Sequence, residues 1–224
     1  GNSNNNSFAH GSTWMAYRST HQTECCAGNV HRFMPNYVAR MWLLGEKDNI
    51  VSAMYGPSTV SVELSDKSVC TLEQKTSYPF DDVINYIFSF DRGGRHRLRF
   101  SFRIPEWARG VNLRMNGKVI PYRADDKGFG HVEAKFRTGD ELTLTFDVEV
   151  ELVKAEEDQG YYVQRGPILY SYPIDAEVTV DDTEYLNMHG KVSREAGFQN
   201  WSMVPVGEWN YGISAYTEPE FIWK

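Results

Sequence analysis

The apolar positions of the chain follow two periods, and the change between them falls near Gly45. From Val30 to Leu44, apolar residues recur at Phe33, Tyr37 and Met41 and again at Met34, Val38 and Trp42, a helical spacing that predicts one broad apolar face. Pro35 suits the first turn of that helix, where a missing N–H costs nothing, and Gly45 is placed to stop it. After Gly45 the period is two. Val60, Val62 and Leu64 alternate with Ser61, Glu63 and Ser65, and Ile84, Tyr86, Phe88 and Phe90 form the next series. From His96 onward, Leu98, Phe100, Phe102 and Ile104 share one face and Arg97, Arg99, Ser101 and Arg103 the other, the pattern of a half-buried antiparallel strand with a solvated outer face.

Val111, Leu113 and Met115 lead into Asn116-Gly117, a strong hairpin signal with Val119 beginning the return strand, and Asp125-Asp-Lys-Gly128 marks another turn. Leu142, Leu144, Phe146, Val148, Val150 and Leu152 alternate without a break, a run so long that the strand is expected to bend or pass between sheets. Glu156-Glu-Asp158 reads as a surface break, and Tyr161 to Tyr170 as two short strands around Gly166-Pro167. Many strands, short turns and almost no further helix signal predict a mainly β chain whose core, from about Ile50 to about Leu152, is an antiparallel β-sandwich. Cys70, within Ser68-Val-Cys-Thr-Leu72, reads as an ordinary strand residue. Gly1 to Thr20, rich in Asn, Ser and Gly, reads as a loop or poorly ordered leader in which His10 and Trp14 carry no role. Trp201, Trp209, Tyr211, Tyr216 and Trp223 stand among turn residues; such aromatics can stack on sugar rings but more often fill cores and interfaces.

With 224 residues, 41% of them hydrophobic and 24% charged, the chain is long enough for one or two cores. A net charge of −7 and a pI near 5.4 weigh against nucleic acid or an anionic membrane as partner, since each would want a basic face, and are indifferent to a neutral glycan. No apolar run approaches membrane-spanning length, and no signal peptide is legible. Three cysteines make no disulfide framework and leave the compartment open between periplasm, extracellular space and cytoplasm.

Candidate chemistry concentrates in His21-Gln-Thr-Glu-Cys-Cys-Ala-Gly-Asn-Val-His-Arg32, where Cys25 and Cys26 stand side by side with Glu24 and His31 close by. Adjacent thiols point in different directions in helix or strand, so packing alone rarely calls for the pair, whereas metal ligation and nucleophilic attack do. Two buried thiols, or an oxidised pair, is the competing reading. As metal ligands, Cys26 and His31 have C-x4-H spacing and Glu24 adds an oxygen. That is a partial set, since structural zinc takes about four ligands, and the rest of the site is expected elsewhere. The pair falls just before the predicted helix, whose N-terminus favours thiolate over thiol.

Cys25-Cys26-x-x-Asn29-x-x-Arg32, followed by Pro35-Asn-Tyr-Val-Ala-Arg-Met-Trp42, resembles the end of the catalytic barrel in bacterial β-L-arabinofuranosidases of glycoside hydrolase family 127 and its relatives. Tyr55-Gly-Pro-Ser58, Thr76-Ser-Tyr-Pro-Phe80, Arg103-Ile-Pro-Glu-Trp-Ala108, Gln164-Arg-Gly-Pro-Ile-Leu-Tyr170 and Trp209-Asn-Tyr-Gly212 resemble later motifs of that family in the same order. The resemblance implies the C-terminal part of a larger enzyme. Residues 1–45 would be a leader plus the final helix of an (α/α) barrel, 46–155 an accessory β-sandwich, and 156–224 further strands that extend it or open a second sandwich. It also implies that Cys25 is the nucleophile of a retaining hydrolysis, and that Cys25 and Cys26 ligate a zinc completed by a Glu and a third Cys far upstream. The family's acid/base glutamate lies upstream as well. A glycan is then the partner, zinc is expected in the full-length enzyme and weakly held or absent in these residues alone, and a homodimer stays open. Ala27-Gly28 stands where the family often has two prolines, the mark of a divergent branch. Two readings from other classes compete: a non-catalytic carbohydrate-binding or structural sandwich, and a small zinc module of Cys25, Cys26, His31 and Glu24.

Overall fold

The structure, a computed structural model, describes residues 2–3, 16–17, 25–155, 160–171, 173–180 and 201–207, with side chains placed for 32–155, 160–171, 173–180 and 203–207. Its elements run β1 (Asn2–Ser3), β2 (Ala16–Tyr17), α1 (Cys25–Ala39), β3 (Trp42–Gly45), β4 (Asn49–Ser52), β5 (Ser58–Glu63), β6 (Val69–Lys75), β7 (Val83–Phe90), β8 (His96–Arg103), β9 (Gly110–Met115), β10 (Lys118–Val119), β11 (Arg123–Ala124), β12 (Phe129–Phe136), β13 (Glu141–Asp147), β14 (Val150–Lys154), β15 (Tyr161–Arg165), β16 (Ile168–Leu169), β17 (Ala176–Val180) and β18 (Trp201–Pro205). Two compact units emerge. One is Tyr37–Tyr170, and the other joins the described parts of Gly1–Asn36 and Ser171–Glu220. In the latter, β1, β2, β18 and β17 line up as one four-stranded sheet.

The Tyr37–Tyr170 unit is built on a sheet ordered β10-β9-β13-β7-β6-β5 and a second ordered β11-β12-β8-β4-β3. Period-two alternation decides which faces meet. Leu98, Phe100 and Phe102 of β8 are buried, as are Ile84, Tyr86 and Phe88 of β7 and Leu142, Leu144 and Phe146 of β13. Rings from the two sheets interlock: Tyr86 stands edge-on to Phe100 at 4.7 Å between centroids, and Phe88 stacks on Phe136 at 4.2 Å. The mainly β, antiparallel sandwich expected from the alternation is therefore present, with one exception. β4 runs parallel to β8, which the chain reaches only after passing through β5, β6 and β7 of the opposite sheet.

A close approach in this core demands glycine. Gly130 of β12 lies opposite Phe102 of β8, and a Cβ at Gly130 would clash with the Phe102 ring. That ring is fully buried and wedged against Phe100 and Tyr122, so it has nowhere to retreat. Gly130→Ala is expected to destabilise the sandwich by roughly 1–3 kcal/mol through overpacking. Urea denaturation checks it: a midpoint equal to the parent's would mean that the ring can move.

The helix differs from its sequence pattern at both ends. It starts at Cys25 and ends at Ala39, with Pro35 in its interior rather than its first turn. Its last turn tightens, Arg40 N–H bonding Tyr37 C=O at 3.1 Å and Met41 N–H bonding Val38 C=O at 3.2 Å. Trp42–Gly45 is strand, because it pairs with Asn49–Ser52 across a turn in which Lys47 and Asp48 take positive φ. Gly45 thus ends a strand and stops no helix. Of the expected apolar face, Phe33, Met34 and Val38 are exposed, while Met41 is buried and its carbonyl accepts from the N–H groups of Ala53 and Met54.

The turns follow their chemistry. Asn116 and Gly117 both have positive φ, the requirement of a type I′ hairpin, and β9 returns as β10. The long run from Glu141 breaks after Asp147: β13 stays in the sandwich while β14 joins β15 and β16 in a three-stranded sheet. The sandwich core accordingly ends at Phe146, with Val148 packed against it, and does not reach Leu152.

Between the sheets lies one buried polar network, fully satisfied. Tyr86 donates to Ser52 Oγ at 2.9 Å, Ser52 donates to Gln74 Oε1 at 2.7 Å, and Gln74 Nε2 donates to the Gly56 carbonyl at 2.6 Å. Such a network fixes the register of β4 against the opposite sheet, since any slip would leave buried polar atoms without partners.

Candidate functional site

Cys25 and Cys26 occupy the first two positions of α1, not the residues before it. The N–H groups of a first turn have no partner within the helix and carry the positive end of its dipole, a setting that favours thiolate over thiol. No acidic residue in that turn opposes it. For Cys25, Cys26 and His31 the backbone alone is described, and Glu24 lies outside the described residues, as do His10, Trp14, Trp209, Tyr211, Tyr216 and Trp223. Trp201 is described by its backbone in β18. Among the described residues, no three His, Cys, Asp or Glu side chains gather as a metal site. Nor, among them, is any helix long and apolar enough to cross a membrane.

The third cysteine fits its reading as a strand residue. Cys70 of β6 is fully buried in the sandwich core, and burial pushes its thiol up to about 12, so it is inert toward nucleophilic chemistry.

Two clusters of Ser, His and Asp stand in the sandwich, and neither is legible in the sequence, since each is assembled from separate elements. In the first, Ser101 Oγ is 2.8 Å from His131 Nδ1, and His131 Nε2 is 3.0 Å from Asp125 Oδ2. The serine is 1% exposed and donates its hydrogen to Asn49 Oδ1 at 2.7 Å. Its oxygen therefore faces His131 as an acceptor, and no ring nitrogen is left to act as its base. In the second, His96 stacks on Phe90, its Nδ1 lies 3.1 Å from Ser68 Oγ and 3.2 Å from Asp66 Oδ2, and its Nε2 lies 3.1 Å from the Arg92 carbonyl. That cluster closes the β5–β6 turn. Both are structural.

Asp66 has a measurable consequence. Hydrogen bonds from the Ser68 hydroxyl and backbone N–H, joined by His96, hold its carboxyl down at about 2, below the usual carboxylate range. A depressed folded-state pKa contributes stability that is present above the unfolded value near 4 and is lost as pH falls toward about 2. Asp66→Asn keeps the acceptor oxygen but cannot titrate. The parent is expected to melt above this variant at pH 5, with the gap closing as pH falls from about 4 to about 2. A gap constant across thermal melts from pH 5 to pH 2 would remove Asp66 from the acid transition.

Beside the Asp125 turn the sandwich carries an open groove of about 900 Å³. Asp126, Lys127 and Phe129 line one side, Arg103 and Glu106 another, and Met54 a third. Asp125 holds the turn, accepting from the N–H groups of Lys127 at 3.0 Å and Phe129 at 2.8 Å.

The motifs that carried the family resemblance are mainly structural where they fall on described residues. Tyr55, Tyr78, Trp107 and Phe146 form one aromatic cluster, with Tyr55 5.5 Å from Tyr78, and Phe146 5.4 Å from Tyr55 and 5.3 Å from Trp107. The Tyr55 hydroxyl donates to the Arg103 carbonyl, tying the Tyr-Gly-Pro-Ser and Arg-Ile-Pro-Glu-Trp motifs together.

Comparison with known proteins bears on the same segment. Residues 49–148 match the model of the β-L-arabinofuranosidase GH127 middle domain. Among solved structures, the chain is similar to a GH127 β-L-arabinofuranosidase from Geobacillus stearothermophilus T6, 22% identical at a TM-score of 0.57, over 81% of this chain and 34% of that one. A GH127 β-arabinofuranosidase is 21% identical at a TM-score of 0.57, over 81% of this chain and 36% of the other. A structure described as a glycoside hydrolase is 19% identical at a TM-score of 0.59, over 87% of this chain and 38% of its own. At such identities the likeness is one of fold, and the chain spans little more than a third of each relative's length. No curated protein matches the chain.

Proposed function

We propose that the chain is the C-terminal part of a larger glycoside hydrolase of the β-L-arabinofuranosidase type, on the premise that residues 49–148 match the model of the GH127 middle domain. The match of residues 49–148 is the observation that carries this reading. Support comes also from the order of the elements, since α1, with the cysteine pair at its start, comes directly before the sandwich. In this reading α1 is the final helix of the catalytic barrel.

Cys25 is the nucleophile. Its thiolate attacks the anomeric carbon, a sulfur–carbon bond forms as the glycosidic carbon–oxygen bond breaks, and the leaving oxygen takes a proton from a carboxylic acid outside this chain. Water, deprotonated by that carboxylate, then attacks the same carbon from the opposite side. The thiolate is released, and two inversions give net retention. Two thiols are donors of the type zinc selects, and Cys25 and Cys26 would fill two positions of a four-ligand shell whose remainder would lie upstream. Bound there, zinc would hold the thiols deprotonated.

The test is turnover by the longer enzyme that contains this chain, on a synthetic β-L-arabinofuranoside, with the anomer of the released sugar followed by proton NMR. Retained configuration at first release is the expected result. Release of the inverted anomer would remove Cys25 as covalent nucleophile, and no cleavage of any arabinofuranoside would sink the reading in favour of a non-catalytic sandwich.

A further inference from the structure

No residue lining the groove beside the Asp125 turn has a role in the chemistry assigned to Cys25. We infer that the groove is a non-catalytic binding site for a short, uncharged glycan. Arg97 and Arg99 pair with Glu133, and Arg109 with Glu149 and Glu151. In the groove, Arg103, Glu106, Asp126 and Lys127 make no side-chain hydrogen bond or ion pair with any described residue. Two cations and two carboxylates therefore present donors and acceptors to one concavity without neutralising each other.

Three further properties select the ligand. A volume of about 900 Å³ is within the range of small-molecule clefts. With Arg40 and Asp125 included, positive and negative side chains in the lining number three each, so the groove favours neither anion nor cation. Met54, Ile104 and Phe129 add apolar wall, which suits the C–H face of a sugar ring while carboxylates and guanidinium bond adjacent hydroxyls in pairs. The walls are also set in advance. Asp125 pins the turn, and the Ile104 N–H bonds the Gly128 carbonyl at 2.7 Å, so little order has to be gained on binding.

Only the choice of probe rests on the glycoside hydrolase reading. The 224-residue chain, labelled with nitrogen-15, is titrated with arabinotriose and, for comparison, with trigalacturonate and a chitosan trimer. Saturable amide shifts centred on Ala108, Gly128 and Phe129 are expected with arabinotriose, the charged trimers binding more weakly. Arg103→Ala and Asp126→Asn should each weaken binding about tenfold, the loss of a charge-assisted hydrogen bond. Arg123→Ala, outside the groove, should leave it unchanged. Asp126→Asn and Glu106→Gln are nearly isosteric, so the outcome does not depend on how Arg103→Ala folds. Absence of shifts, shifts centred elsewhere, undiminished binding by the groove variants, or preference for a charged trimer would each overturn the site. Hydrolysis by the longer enzyme without sugar binding here would refute the groove alone, whereas binding here without hydrolysis would refute the enzyme reading alone.

Discussion

Phe100→Asp and Leu144→Asp are each expected to abolish the cooperative melting transition of the sandwich. Phe100 and Leu144 are fully buried on facing sheets, and Phe100 is enclosed by Tyr86, Phe88 and Phe102. Truncating a large core side chain already costs about 3–5 kcal/mol. A carboxylate in its place finds only rings around it, and an unpaired buried charge adds several kcal/mol more. A domain of this size has roughly 5–15 kcal/mol in total, so the sum is enough to unfold it. Arg99→Gln is the control. Arg99 lies one residue away on the outer face and pairs with Glu133 in solvent, so its loss should stay within about 1 kcal/mol. Circular dichroism melts decide the matter: parental melting by both Asp variants would mean that the inner and outer faces have been exchanged.

That prediction rests on the part of the fold most legible in the sequence. Wherever one face of a strand is buried and the other wet, the side-chain period of two is written directly into residue type, as in Leu98-Phe100-Phe102 against Arg97-Arg99. The Asn116-Gly117 turn was legible for a different reason, since few residues accept positive φ twice in succession. The end of the helix was not legible. Met41 and Trp42 continue the four-residue spacing of Tyr37 and Val38, yet the chain has already left the helix there, Met41 being buried and Trp42 packed against the sandwich core. What removes them is the pairing of β3 with β4, a tertiary fact. The parallel run of β4 beside β8 was hidden for the same reason: three strands of the opposite sheet separate the partners. So were the two Ser-His-Asp clusters, whose members approach only when distant strands are in register. At the cysteine pair, residue type alone pointed to chemistry, because two adjacent thiols have no common packing use. The remaining ligands of the proposed zinc would belong to no stretch of this sequence, so spacing had nothing further to offer.

In the longer enzyme, Cys25→Ser is expected to lower turnover by about 10⁴-fold or more while part of the zinc remains, and Cys26→Ser to lower zinc content first and turnover as a consequence. Removing a covalent nucleophile removes the whole two-step route, and losses of that size are seen when such residues are truncated. Serine keeps the shape of cysteine, but its hydroxyl is a far weaker nucleophile at neutral pH and a poor ligand for a soft site. If Cys25 attacks and Cys26 only holds, the two variants part company in two separate measurements: metal content per chain and turnover at saturating zinc. Added zinc should restore much of the activity of Cys26→Ser and none of that of Cys25→Ser. The 224-residue chain by itself should cleave nothing, because the proposed acid/base carboxylate and half of the ligand shell lie outside it. Acid/base help alone is worth about 10²- to 10⁴-fold. Near-parental turnover by Cys25→Ser would take the nucleophile away from this position. Equal rescue of both variants by zinc would reduce the pair to ligands.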